Sequence, residues 1–407
     1  MSGERRFRLC LATAAIAYAV AMTYRSINGW DYGTDAGPAL AALAHGSLPG
    51  FFAHQPAMGA FSLYLRAPFV LVAQALHGDL YRAGSLPCVL SVALVALGLA
   101  RRAAARGTGR LGQTLLVAAC LLNPLIGDAL YWGHPEELLA ASLSVGALLA
   151  ADEQNGLWCA VLAGLAVATK QWAVIVVVPC LLILRGGRLR ATGVMAATAA
   201  LATLPMLIGS ASAFMHAAHY ISRPQPIVTV FTWLYPFSPH GVVHVSNLFG
   251  DSRTFIGHQL LGVEASLSRV VIVAVAVGLP LLCWWRDRRL SAGAVLRVTA
   301  IACVLRCALD PGSMGYYHLP LLLVLAAIDA SAGRRIPVAS IAGAFAAFIC
   351  LERAPAYLDP PVTNALYLAA SLTAVVLLVR SLRALRAVPV PLPTPRALAP
   401  GDRLIAT

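Results

Sequence analysis

The sequence predicts an all-α protein that crosses a membrane many times. Three observations carry this reading. Of 407 residues, 59% are hydrophobic and only 12% are charged, about half the charged fraction of a typical soluble domain. The mean hydropathy is +0.76. The apolar residues come in long unbroken runs of Leu, Ala and Val, not in the alternation of an outer-membrane barrel strand. A water-soluble surface must stay largely polar, and this composition cannot supply one. A soluble globular enzyme, a disordered chain and a fibrous repeat are excluded.

A crossing helix needs about 20 mostly apolar residues, fewer where neighbouring helices cover its ends. Twelve runs qualify, at about 7–26, 83–100, 111–126, 137–151, 156–169, 172–184, 191–209, 269–285, 294–309, 318–330, 336–351 and 364–380. The segment 57–77 is a further candidate, so the number lies between 10 and 13. Charge decides its role. Arg clusters stand at Arg5/Arg6/Arg8, Arg101/Arg102/Arg106/Arg110, Arg185/Arg188/Arg190, Arg286/Arg288/Arg289, Arg334/Arg335 and Arg380/Arg383/Arg386. With 57–77 outside the membrane core, every cluster falls on the cytoplasmic side. Arg66 in mid-segment, with Pro56 and Pro68, also suits a helix lying at the outer face.

The expected layout is a multi-pass protein of the plasma membrane with both termini in the cytoplasm. An outer loop at 27–82 bears interfacial helices, and a second large outer loop spans 210–268. Residues 1–387 form one transmembrane domain, and 388–407 a Pro-rich cytoplasmic tail. The start imitates a signal peptide, with three Arg, an apolar run and Ala19-Val20-Ala21. The run is long for that role, and the first helix is needed to hold the next loop. An uncleaved anchor is expected.

The formal net charge of +13 invites a nucleic-acid partner. The cations instead sit in short clusters between apolar runs, as membrane-orienting charges do; no nucleic acid is expected. All nine Cys fall in or beside apolar runs, where Cys acts as a small hydrophobe. No metal or nucleotide motif appears, so neither metal nor cofactor is expected.

Five polar constellations interrupt this background. Asp31 and Asp35 follow the first span; a carboxylate there can take a proton from a hydroxyl, or simply cap the helix beginning near Ala36. His54-Gln55-Pro56 opens the 57–77 helix, where His54 is either a phosphate contact or a surface residue. Asp128, His134, Glu136 and Glu137 crowd one short outer turn, and the glutamates also complement a helix dipole. Lys170 is the single lysine of the chain and interrupts an apolar stretch, a functional candidate by default or a snorkelling anchor. As a lone phosphate contact, its loss would weaken donor binding and spare the fold. Arg306 and Asp310, four residues apart, either pair with each other or leave the arginine for a phosphate beside Tyr316, Tyr317 and His318.

In order and spacing these features resemble the C-type superfamily of membrane glycosyltransferases, which use polyprenyl-phosphate sugars. Asp31 stands at the acidic position after the first span, followed by Leu43-Ala44-His45-Gly46. His54-Gln55-Pro56-Ala57-Met58 corresponds to the family's His-Pro-Pro-Leu-like turn, departing from it at the first Pro and the Leu. Gly164-Leu165-Ala166-Val167-Ala168-Thr169-Lys170 matches a Gly-Leu-Ala-x-x-Thr-Lys pattern. The turn Gly133-His134-Pro135-Glu136-Glu137 is most similar to the actinobacterial branch that transfers mannose or related sugars. The likeness covers about residues 1–210 well and the rest as general architecture.

The resemblance implies an inverting transfer to a glycolipid or cell-envelope glycan on the outer face, with Asp31 as base and Asp35 as its fallback. Lys170, Arg306 and His54 would bind the donor phosphate. His134, Glu136, Glu137, Tyr316 and His318 would contact sugar or acceptor. The competing class, a transporter or lipid flippase, also fits twelve spans. Transporters often show two similar halves, and these halves carry different loops and no repeated motif.

Overall fold

The structure is a computed structural model. It describes residues 3–25, 29, 31–222, 226–248, 250, 252–260, 263–288 and 290–387. Trp30, Arg289 and the tail 388–407 lie outside the described residues.

The chain opens with α1 (Gly3–Arg25) and a loop carrying α2 (Gly37–Ala44), α3 (Leu48–Ala53) and α4 (Phe61–Ala75). The bundle continues with α5 (Leu80–Ala105), α6 (Arg110–Leu121), α7 (Pro124–Trp132), α8 (Pro135–Asp152), α9 (Gly156–Thr169), α10 (Val177–Ile183) and α11 (Arg188–Gly209). Next come α12 (Ala211–Ser222) and a hairpin of β1 (His240–Ser246) and β2 (Ser252–His258). The remainder is α13 (Val263–Arg286), α14 (Ala292–Leu309), α15 (Leu319–Ala332), α16 (Val338–Ala347), α17 (Ala354–Tyr357) and α18 (Pro360–Ala387). The protein is thus an all-α polytopic membrane protein, as the composition requires.

Helices stand at all twelve expected positions, but only nine among the described residues are long and apolar enough to cross. The shortfall lies at α8, α9 and α10. Helix α9 has 14 residues, about 21 Å of rise against roughly 30 Å of hydrocarbon. Helix α10 reaches only 13 residues with the 3₁₀ turn before it. Helix α8 carries Glu136 and Glu137 in its first turn and Asp152 at its end. It is buried nearly all round, with Leu138, Leu139, Val145 and Leu148 in the main core. A helix apolar on every face belongs inside a bundle, so α8 meets protein rather than lipid. Helices α1, α11 and α13 are the lightly covered ones, with Leu201, Ile208, Val270 and Val273 outward.

Helix α4, at 15 residues, is also too short to cross unaided. It begins at Phe61, later than Pro56 predicts. The backbone of 54–60 is drawn elsewhere: Ala57 N–H donates to Asp35 at 2.7 Å, and Gly59 N–H to the Thr169 carbonyl at 3.0 Å. Beneath this loop lies a second apolar cluster, in which Leu40, Phe51, Met58, Leu63 and Val70 pack with Met206 of α11.

The hairpin in the 210–268 loop is an addition to the expected helices. Its strands pair antiparallel, His240 with His258 through Ser246 with Ser252.

Candidate active site

Three chain segments meet at one end of the bundle. The first is the loop after α1. Asp31 N–H donates to the Trp132 carbonyl at 3.0 Å, tying this loop to the end of α7. Asp31 then opens a 3₁₀ turn, Tyr32–Thr34, without its side chain capping it. Helix α2 starts after Ala36, with no side-chain cap. The capping alternative therefore fails for both carboxylates. Asp31 is half exposed, whereas Asp35 is buried and accepts from Ala57 N–H.

The second segment joins α7 to α8. Gly133 ends α7 in the left-handed region at φ 90°. The Gly133 and His134 N–H groups return to the Leu130 and Ala129 carbonyls at 3.3 and 2.8 Å, a Schellman closure. A Cβ at Gly133 would lie 2.6 Å from Tyr32 N, so only glycine lets the first segment pass. Pro135 then starts α8 and brings Glu136 and Glu137 to its first turn.

The third segment is the end of α9. Lys170 is extended, at φ −148° and ψ 131°, between α9 and the following 3₁₀ turn. It does not snorkel. Its Nζ lies 3.0 Å from Glu136 Oε1 and 3.3 Å from Glu137 Oε1. Trp172 Nε1 donates to Glu137 Oε2 at 2.7 Å.

His134 binds the segments together. Its Nδ1 is 3.0 Å from Glu136 Oε1 and 4.0 Å from Asp35 Oδ2, and its Nε2 is 3.3 Å from Asp31 Oδ2. Burial opposes a charge on the ring, but the hydrogen bonds from Asp31 and Glu136 outweigh it and raise its pKa to about 9. It is an imidazolium at neutral pH, donating from both nitrogens. For Asp35, burial dominates and Glu136 adds to it; Lys170, His134 and the Ala57 N–H oppose them, and its pKa is raised. Burial also works against the Lys170 ammonium, and Glu136 and Glu137 more than restore it, so its pKa is raised.

Arg66 is the residue that sequence reasoning missed. It served there only to mark an interfacial helix, yet its side chain is fully buried and its Nη1 lies 3.7 Å from Glu136 Oε2. Arg66 Nε donates to the Gly84 carbonyl, and the guanidinium lies over the Tyr32 ring. The signal was present: an arginine inside an apolar segment warrants the same default as Lys170.

The remaining candidates divide. Tyr316 joins the cluster, its ring 5.2 Å from that of His134. Arg306 is buried over the Trp172 and Tyr317 rings, and its Nη1 donates to the Tyr317 carbonyl. Among the described residues it forms no ion pair with Asp310, which accepts from Gly312 N–H instead. His318 lies deeper, against Gly315 O and Tyr367 Oη. His54 is exposed at the end of α3, with Nδ1 2.7 Å from Gly50 O.

Asp35, His134 and Glu136 place one ligand atom each within 4.8 Å of the others. Glu136 of this group also faces Lys170 and Arg66.

A family model, glycosyltransferase family 87, matches residues 59–311. The match takes in Arg66, His134, Glu136, Glu137, Lys170 and Arg306 and covers well over half of the chain. Neither a curated protein nor a solved structure matches. The chain belongs to glycosyltransferase family 87 and is a multi-pass membrane glycosyltransferase.

Proposed function

We propose that the protein moves mannose or a related monosaccharide from a polyprenyl-phosphate donor to a glycolipid or cell-envelope glycan on the outer face of the plasma membrane. The carrying observation is the convergence of Asp31, His134 and Lys170, from three distant segments, at one edge of a chain of this family. The actinobacterial mannosyltransferases remain the branch that the His134-Pro135-Glu136-Glu137 turn favours.

The reaction is one inverting displacement. The acceptor O–H proton passes to the Asp31 carboxylate as the oxygen attacks the anomeric carbon. A bond from that carbon to the acceptor forms, the bond to the phosphate oxygen breaks, and polyprenyl phosphate leaves with the electron pair. Asp31 suits the base because it is half exposed, while Asp35 is buried and held by the Ala57 N–H. A base must reach the proton it takes.

Charge developing on the leaving phosphate calls for fixed cations. Lys170 has three N–H donors, of which two face Glu136 and Glu137. The third is left for phosphate, with Arg306 beside Trp172 as the second cation and His54 as a contact at the rim. Glu136 and Glu137 hold the cations in place at the sugar's edge, and Tyr316 and His134 line the side where sugar or acceptor would lie, with His318 buried behind them. Both termini and the Arg clusters face the cytoplasm in this reading, residues 1–387 act as one domain, and 388–407 is a tail.

The test is transfer in membranes containing the protein, with a labelled polyprenyl-phosphate mannose and an extracted glycolipid acceptor. Labelled glycolipid and free polyprenyl phosphate should appear in equal amounts, and chelation should not stop them. Transfer only from a water-soluble nucleotide sugar would contradict the proposal.

A further inference from the structure

A cavity of about 660 Å³ lies among α14, α15, α16 and α18, within the roughly 300–1,000 Å³ usual for ligand pockets. It runs from His318 to Ala332 along α15, about 21 Å at helical rise. That exceeds one leaflet's half of a roughly 30 Å hydrocarbon core. Its middle is aliphatic, with Leu322, Leu325, Ala346, Leu366 and Leu377.

The two ends differ. At one, His318 and Tyr367 hydrogen-bond each other at 3.0 Å, and His318 Nδ1 is already at Gly315 O. At the other, Arg297 and Arg334 face the same space, with Asp329 the single acid of the lining. Asp329 is committed: its Oδ2 accepts from Ser340 N–H at 2.7 Å and Ser340 Oγ at 2.6 Å. Arg297 uses two donors, Nε to Ser381 Oγ at 3.1 Å and Nη1 to Gly293 O at 2.8 Å. A guanidinium has five.

Two guanidiniums against one occupied carboxylate leave positive charge at the mouth of an apolar slot. We infer that this cavity is a site for an anionic membrane phospholipid, with its phosphate on Arg297 and Arg334 and one acyl chain running along α15 toward His318. These arginines stand at the end of the bundle that carries the Arg clusters, so the lipid comes from the cytoplasmic leaflet. The polyprenyl carrier is the poorer occupant, because its phosphate belongs beside Lys170 and Arg306 at the opposite end. Lipid binding at this cavity is measured without any transfer reaction.

The measurement is native mass spectrometry of the purified full-length protein, titrated separately with phosphatidylglycerol and phosphatidylcholine of the same chains. The wild type should hold one phosphatidylglycerol about tenfold more tightly than phosphatidylcholine, since each arginine near an anionic headgroup contributes appreciably. Arg297→Gln with Arg334→Gln should bring the two lipids to parity. Should that double variant not fold, Arg334→Gln alone decides; its side chain is exposed, and it should cut the preference about threefold. Ala346→Phe, which fills the slot, should weaken both lipids alike. Parity in the wild type, or an unchanged preference in the arginine variants, would overturn the inference. So would a polyprenyl phosphate that displaces phosphatidylglycerol equally from wild type and variants, because the slot would then hold the carrier's chain.

Discussion

At the scale of single residues, the buried charges of the site are coupled to one another. His134 shows this through pH. Its folded pKa of about 9 lies above the ordinary 6.5. The stability it contributes is full below pH 6.5 and is lost as pH rises through 9. A shift of that size is on the order of 3 kcal/mol. Melting temperature should therefore fall between about pH 7 and pH 9, and His134→Gln should flatten that fall. A His134→Gln variant with the wild-type pH profile would mean that the ring is neutral. Lys170 carries a related lesson. As an isolated cation it could be removed with the fold intact, but here it stands between Glu136 and Glu137. Lys170→Ala leaves two buried carboxylates facing each other, and losing one partner of a buried pair costs about 3–5 kcal/mol. Thermal unfolding should show a large loss for Lys170→Ala and a smaller one for Lys170→Ala with Glu137→Gln. Equal losses would show that the lysine acts on the donor alone.

At the scale of elements, two glycines let three segments touch. Gly133 ends α7 at φ 90°, and Gly59 passes so close to α9 that a Cβ would lie 2.0 Å from the Ala168 carbonyl oxygen. Gly133→Ala meets both a disfavoured backbone region and Tyr32, and should cost about 1–3 kcal/mol. Gly59→Ala should push the 54–60 loop away from Thr169 and lower transfer with it. Normal melting and transfer in both variants would mean that the segments meet by other contacts. Much of this scale was legible in sequence, because apolar runs report helices through composition alone. Every expected helix exists, and Asp31, His134 and Lys170 were singled out by type and place. The start of α4 was not legible, because Pro56 suits a helix start in isolation. What overrides it are hydrogen bonds to Asp35 and Thr169, remote in sequence. Arg66 was misjudged for the same reason: its partners, Gly84 and Glu136, lie on α5 and α8. The hairpin of β1 and β2 is not legible either, because it lies within a loop whose bounds alone the apolar runs define.

At the scale of the molecule, the arginine clusters set orientation. In the proposed orientation α4 stays outside the membrane core and α8, α9 and α10 all cross, so that 101–110 and 185–190 share one side and 210–268 faces the other. Cysteine-accessibility labelling in intact cells should protect the first two segments and modify the third. Labelling of 101–110 from outside would invert the site and remove Asp31 from the outer face. In the proposed mechanism Asp31 takes the acceptor's proton. The transfer rate of Asp31→Asn in purified membranes, with Asp35→Asn beside it, decides this role. Asn keeps the volume and a hydrogen bond to His134 but cannot accept a proton. Transfer should fall by about 10²-fold or more, with melting temperature nearly unchanged because Asp31 is half exposed. Transfer at the wild-type rate in Asp31→Asn would contradict the account, and loss confined to Asp35→Asn would move the base one turn along the loop.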